Sequence, residues 1–372
     1  MILKEIELKH FRNYEDLNLK LNEKINFFIG NNAQGKTNLL ESIYYLIITK
    51  SFRTFNDKDL IKDGKRFFYI KGIFKLKSNN ITDEIKVLVS DVGKKIIVNN
   101  KLKLKISEYI SRFSVVIFSP NDLDFIKGQP GLRRRTINVE IGQLDKRYLI
   151  KLSKYNKILK NRNEYLKQIN FKQYDKRYLS IITDQLINKG LEIYSYRKQF
   201  IKQVNIKLQK VYNQFCKNSK IEIKYISSFP INKDITIIKK ELINKINNNI
   251  TKEILLSQTL FGPHRDDFCF YIDNKNIKNY GSQGQQRIVM LCFKIAIFEI
   301  ISEEKKESPL LLLDDVFSEL DNFKKNIILE ILNKNNQVII TTTDIDNLDK
   351  KIIKDFNIFY IEEGKIYKRS SE

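Results

Sequence analysis

Cysteine, histidine, tryptophan, glycine and proline are all scarce in this 372-residue chain: three Cys, two His, no Trp, 13 Gly and five Pro. The cysteines (Cys216, Cys269, Cys292) show no C-x-x-C spacing, and His10 and His264 stand far apart. A disulfide-stapled scaffold and a zinc module are therefore excluded. No apolar run approaches the roughly 18 residues a membrane span needs, and residues 1–5 lack the basic-then-apolar shape of a signal peptide. Apolar residues make up 42%, too many for a disordered chain. These absences predict a cytoplasmic protein of a reducing compartment, with no membrane partner. It is long enough for one large domain, or for a core carrying an inserted lobe.

What is abundant is positive charge: 67 Lys+Arg against 44 Asp+Glu, a formal net of +23. Of these cations, 53 are Lys and 14 Arg. An A+T-rich coding bias favours Lys, Asn and Ile, but it also supplies Asp and Glu and creates no net excess alone. The excess is also localised. Residues 146–220 hold 19 Lys+Arg and only Glu164, Asp175, Asp184 and Glu192, a net of +15. A patch of that kind is the electrostatic footprint of a nucleic-acid partner.

Patterning predicts strands at both ends and helices between. Ile2, Ile6 and Leu8, then Leu17, Leu19 and Leu21, alternate with polar residues as half-buried strands do. Similar alternation recurs at 68–76, 85–89 and 96–98, with Asn99-Asn100 as a hairpin turn. Short apolar runs at 25–29, 310–313 and 338–341 read as strands, the first two flanking helices near 37–48 and 322–333. From Pro130 to about Lys217 the apolar spacing is three and four residues, which predicts a helix pair without sustained heptads. A further helix is expected at 285–302 and a hairpin around Glu363-Gly364. The expected fold class is α/β, with an inserted helical lobe.

The sequence Gly30, Asn31, Asn32, Ala33, Gln34, Gly35, Lys36, Thr37 fits G-x-x-x-x-G-K-[ST]. Glycines let the backbone curl its N–H groups around phosphates, Lys36 adds a point charge, and Thr37 offers a hydroxyl to Mg²⁺. The required context is present, a strand before and the helical pattern Leu39, Leu40, Ile43, Leu46 after. These residues, together with Asn38, are assigned to a nucleotide. The run 310–313 ends in Asp314 and Asp315. Asp314 is assigned to the Mg²⁺ shell and Asp315 to polarising the attacking water. Thr37 and Asp314 stand 277 residues apart, too far for a compact small GTPase. A large insertion between these motifs points to the ABC/SMC-like ATPase architecture. Its signature element is read at Ser282, Gln283, Gly284 and Gln285, where Ser282 and Gln285 also fit a capping box. In that architecture the signature closes over the nucleotide of a second subunit, so that ATP joins a dimer.

Colinear strings then extend the pattern: Phe11-Arg12-Asn13-Tyr14, Lys50-Ser51-Phe52-Arg53, the run 118–123 and Gly131-Leu132-Arg133-Arg134-Arg135. Gly262-Pro263-His264-Arg265-Asp266-Asp267, Ser282 to Arg287 and Leu313 to Asp321 complete it. From residue 1 to about 345 the chain resembles the bacterial RecF recombination proteins, the strings Gly262–Asp267 and Asp314–Asp321 being the most specific. The resemblance implies an ABC-type ATPase head of P-loop α/β core and antiparallel β lobe, spanning 1–129 and 255–372. An inserted, mainly helical lobe would occupy 130–254. It further implies ATP with Mg²⁺ and an ATP-dependent homodimer. The partners implied are single-stranded, gapped or junction DNA and the pathway proteins RecO, RecR and RecA, with a role in gap repair, replication restart and SOS induction. Slow, DNA-stimulated hydrolysis would act as a conformational switch. Ser318, Glu319, Leu320 and Asp321 would form the loop that senses the partner subunit. Thr342 or Thr343 would stand where transporters place a switch histidine, and Thr342 is taken as the candidate. No glutamine matches the Q-loop well; Gln129 and Gln143 are both poorly placed.

Arginine is rare here, yet Arg12, Arg53, Arg133–Arg135, Arg265 and Arg287 lie in motif strings. In a chain that defaults to Lys, Arg marks sites needing a planar, always-charged fork. Arg12 is expected to reach the nucleotide, and His264 to serve as a structural hydrogen-bonder. Two other classes share the phosphate loop. An SMC-like chromosome protein would need hundreds of residues of heptads, and a transporter ATPase subunit would need membrane partners.

Overall fold

The computed structural model describes residues 1–103, 109–169, 174–228, 234–316, 336–343 and 356–368. The chain divides into two compact units, Met1–Asp122 with Lys294–Glu372, and Leu123–Phe293.

Among the described residues, the first unit holds two six-stranded sheets. In one, the order is Lys365–Lys368, Phe356–Glu362, Ile25–Ile29, Val338–Thr342, Leu310–Asp314, Val115–Phe118, and every pairing but the first is parallel. The expected apolar runs thus become neighbouring central strands. Leu310 to Leu313 and Val338 to Ile340 are buried, as strands covered on both faces must be. Register pairs Thr342 with Ile29 and Asp314 with Thr341, so the carboxyl ends of three adjacent strands finish level. In open α/β sheets that rim is where ligands bind.

The second sheet is antiparallel, in the order Tyr14–Lys20, Ile2–Phe11, Phe67–Lys75, Thr82–Ser90, Gly93–Val98, Lys101–Lys103. Its period-2 patterns are realised as alternating burial, and Asn99 (φ 48°) with Asn100 (φ 60°) makes the expected two-residue turn. Helix Lys36–Ile48 contacts strands of both sheets. It differs from the expected amphipathic element: Lys36, Glu41 and Ser42 are buried along with its apolar residues, because both sides of the helix are covered.

The second unit is mainly helical, with Pro130–Leu144, Lys146–Gln168, the 40-residue Lys176–Phe215, Ile235–Asn248 and Ile250–Leu256. Asp145, Asp175 and Asp234 cap three of these by accepting a backbone N–H. Strand Asp267–Ile272 pairs antiparallel with Ile221–Ile226 and with Lys275–Asn276, so a small sheet ties the helices to the segment that follows. Among the described residues no helix is long and apolar enough to cross a membrane.

Candidate nucleotide site

Strand Ile25–Ile29 delivers the chain to the rim, and residues 30–35 curl there before helix Lys36–Ile48. Two glycines are obligatory for different reasons. A Cβ on Gly30 would lie 2.4 Å from the Ile361 carbonyl oxygen, whereas Gly35 adopts φ 113° against the Asn13 side chain. Asn31, Asn32 and Ala33 are exposed, with Ala33 itself left-handed at φ 66°. The buried Lys36 Nζ donates to the carbonyls of Gly30 and Asn31, the latter at 3.0 Å. Burial lowers its pKa, and the charges of Asp315 and Asp314 act against that shift.

The carboxylate half lies on the neighbouring strands. Thr37 Oγ1 stands 2.9 Å from both Asp314 carboxylate oxygens, which joins the two halves of the motif across 277 residues. Asp314 is buried, and that burial raises its carboxyl pKa; hydrogen bonds from Thr341 and Thr37 oppose the rise. Asp315 turns into the left-handed region at φ 50°, and its N–H donates to the Thr341 carbonyl at 3.0 Å. Such a conformation costs about 1 kcal/mol or more and persists only where neighbours hold it.

Within 341–343 the three threonines divide the work. Thr341 Oγ1 donates to Asp314 Oδ1 at 2.8 Å, a contact the sequence did not single out. Thr342 is buried and contributes its carbonyl, which accepts the Gly30 N–H at 3.3 Å. Thr343 is exposed and lines a cavity of about 510 Å³ together with Gly30, Asn31, Gln34, Tyr360 and Glu363.

A collar of polar side chains braces the loop. Glu41 is fully buried and accepts from Arg12 Nε and Nη2, both at 3.0 Å, from Arg53 Nη1 at 3.2 Å and from the Ser51 hydroxyl. Arg12 Nη1 donates to the Asp59 carbonyl at 2.8 Å. The guanidinium expected to reach a nucleotide is thus bonded through three N–H groups within the collar. Asn13 donates to the Gln34 carbonyl and accepts from Asn38 Nδ2, while the Tyr14 hydroxyl donates to the Gly35 carbonyl at 3.0 Å. Gln34 also holds the turn after Phe356–Glu362, accepting from the N–H groups of Glu363 and Gly364. Asn13 and Tyr14 were legible only as members of a motif string, and Glu41 belonged to none; nothing in their spacing announced a role.

In the second unit, Ser282 and Gln285 form the expected reciprocal cap at the start of helix Gln283–Lys305, at 3.0 and 3.3 Å. Ser282, Gln283, Gly284 and Gln285 are all exposed, and a Cβ on Gly284 would meet open space. Gln143 is buried and donates to Glu140 within its own helix. His264 lies between the Tyr155 hydroxyl (2.6 Å) and the Thr259 carbonyl (3.0 Å), a structural hydrogen-bonder as anticipated. The carbonyl can only accept, so Nε2 carries the proton and Nδ1 accepts from Tyr155. Ser318, Glu319, Leu320 and Asp321 fall outside the described residues.

The family model of the RecF/RecN/SMC N-terminal domain matches residues 2–366. A DNA replication and repair protein RecF of Enterococcus faecalis is 40% identical over the whole of both chains. A solved structure of the recombination mediator protein RecF with ATP, in the RecFOR pathway, superposes with a TM-score of 0.92 at 34% identity. That superposition covers 99% of this chain and 98% of that one. An SMC head bound to the C-winged helix domain of ScpA shares the fold alone, at 14% identity and a TM-score of 0.56 over 100% and 98% of the two chains. Phosphate loop, paired carboxylates, exposed capped signature and these full-length likenesses agree: the chain belongs to the RecF family of ABC-type ATPase heads.

Proposed function

We propose that this protein is an ATP-dependent DNA-binding protein of recombinational gap repair and replication restart, in which ATP binding closes a homodimer on DNA and slow hydrolysis times its release. The observation that carries the reading is the direct bonding of Thr37 to Asp314, next to a loop whose buried Lys36 feels the charges of Asp315 and Asp314. That is the arrangement a nucleotide triphosphate requires at a sheet rim. RecF relatives named for replication and repair, and a RecF structure named with ATP, support the biological setting.

Residues 30–38 would cradle the phosphates. Asp314 and Thr37 offer oxygen donors, the chemistry Mg²⁺ prefers, and phosphate oxygens and water would complete its coordination. That ion would neutralise charge on the β- and γ-phosphates. Asp315 would orient the attacking water, and Thr342 or Thr343 would serve as the switch hydroxyl. Arg12 would act on the nucleotide from the collar it shares with Glu41. The exposed Ser282–Gln285 segment would meet the nucleotide of the second copy, helped by Ser318–Asp321. We divide the chain functionally into ATPase parts 1–129 and 255–372 and an inserted lobe 130–254. The lysines of helices Lys146–Gln168 and Lys176–Phe215 would face DNA, and RecO, RecR and RecA would be the pathway partners. Action is expected in the cytoplasm.

Steady-state ATP turnover with and without gapped DNA tests the catalytic core. Asp315→Asn should bind ATP normally yet lose roughly a hundredfold in turnover. Lys36→Ala should lose about 2 kcal/mol of ATP affinity, roughly thirtyfold. Normal turnover by Asp315→Asn would remove its catalytic role.

A further inference from the structure

Around residues 258–267 the second unit gathers more guanidinium groups than its carboxylates bond. Arg133 is taken by Asp267, with Nε at 2.6 Å and Nη2 at 2.8 Å. Arg162 is taken by Glu253 at 2.6 Å, and both side chains are fully buried. The third carboxylate, Asp266, accepts the Tyr225 hydroxyl at 2.6 Å. Arg197, also buried, donates to the Pro263 carbonyl and to Asn138 Oδ1.

Besides the buried Arg197, whose partners are neutral, Arg134 and Arg265 also have hydrogen-bond partners that are all neutral. Arg134 Nη1 donates to the Asp266 carbonyl at 2.7 Å. Arg265 Nε donates to the Thr259 carbonyl at 3.2 Å, and its Nη2 to Gln258 Oε1 at 2.9 Å. Arg134 comes from helix Pro130–Leu144 and bonds the carbonyl of the residue after Arg265, so its guanidinium meets the short stretch of backbone from which the Arg265 side chain leaves. Burial, and then the positive charges of Arg197 and Arg265, lower the Arg134 pKa, while Asp267 and Asp266 act against this.

Neutral partners satisfy N–H groups but leave the charges standing, and like charges held close cost energy unless an anion offsets them. Arg265 is exposed and Arg134 half-buried, with Arg134 Nη2 lying 3.8 Å from where a Cβ on the exposed Gly131 would stand. A planar fork matches the oxygens of a phosphate better than an ammonium does. In a chain with 53 Lys and 14 Arg, two arginines here point to that geometry.

We propose that Arg134 and Arg265 form a clamp for a phosphodiester of the DNA backbone, in addition to the lysine-rich helices. This rests on the DNA-binding reading above and narrows it to a pair of side chains. Such a contact sets position on the nucleic acid and carries no sequence preference.

The test is binding of full-length protein, with ATP, to a fluorescent gapped duplex across a series of salt concentrations. Arg265→Gln removes an exposed side chain; Arg265→Lys keeps the charge and loses the fork. Arg265→Gln should weaken binding roughly five- to tenfold and lower the salt slope by about one ion. Arg265→Lys should restore the slope but only part of the affinity. ATP affinity and thermal unfolding should match wild type in both. Wild-type affinity and slope in Arg265→Gln and in the double variant Arg134→Gln/Arg265→Gln would overturn the clamp, even though DNA binding itself stood. Failure of the wild type to bind DNA with ATP would instead overturn the underlying reading, and the clamp with it.

Discussion

His264 and Asp266 sit two residues apart, and burial pushes their pKa values in opposite senses. Burial, with the charges of Arg265, Arg134 and Arg162 adding, brings the imidazole down to about 4. Burial lifts the Asp266 carboxyl to about 6. For His264 the folded value lies below the unfolded 6.5, so its stabilisation is present above that pH and is lost as pH falls toward 4. For Asp266 the folded value lies above 3.8, so its stabilisation is present below that pH and is lost as pH rises through 6. At about 1.4 kcal/mol per unit, each spans about 3 kcal/mol, and over pH 4–6 the two largely cancel. His264→Gln should therefore lose about 3 kcal/mol relative to wild type as pH rises from 4 to 6.5. Urea unfolding at several pH values reads this directly. A constant difference between variant and wild type would contradict the assignment of a neutral, buried imidazole. That His264 would be structural was legible from the scarcity of histidine and its place in a motif string. Its partners Tyr155 and Thr259 were not, since they come from a separate helix and loop.

Among the elements, the strands were the most legible and helix Lys36–Ile48 the least completely so. Four-leucine and Val-Ile-Ile runs announce doubly buried strands, and their order around the phosphate loop follows from parallel pairing. The helix shows apolar residues at helical spacing, but spacing cannot tell that a second sheet covers its polar side. Glu41 is therefore invisible as a core residue until Arg12, Ser51 and Arg53 are seen converging on it from two separate segments. Strand Ile221–Ile226 is hard to read from the sequence for a related reason. Its alternation is present in Ile221, Ile223 and Tyr225, but it is short, and its partner Asp267–Ile272 is distant in sequence. Collar energetics follow from Glu41. Glu41→Ala leaves two guanidiniums beside the phosphate loop without their carboxylate, which should cost about 3 kcal/mol in urea unfolding. ATP affinity should fall with it, because Arg53 also steadies Asn38 at 2.8 Å. An Ala variant as stable as wild type would mean that the collar does not support the loop.

At the scale of the whole molecule, the +23 charge resolves into distinct uses. Lys36 lies in the phosphate loop, and Arg12 and Arg53 are tied to Glu41. Arg133 is consumed by the half-buried Asp267 and Arg162 by the buried Glu253 of the second unit. Many lysines of the two long helices remain exposed, Lys154, Lys157, Lys160, Lys198 and Lys202 among them. The charge excess was readable from composition, but its division into internal fasteners and outward surface was not, because ion pairing is decided by tertiary neighbours. The central claim is that ATP joins two copies of this chain on DNA, and sedimentation velocity measures it most directly. Wild type should sediment as a monomer alone, as a dimer with ATP, and as a heavier complex with ATP and gapped DNA, whereas Lys36→Ala should remain monomeric throughout. A wild-type protein that stays monomeric with ATP and gapped DNA, or a Lys36→Ala variant that dimerises as wild type does, would contradict it.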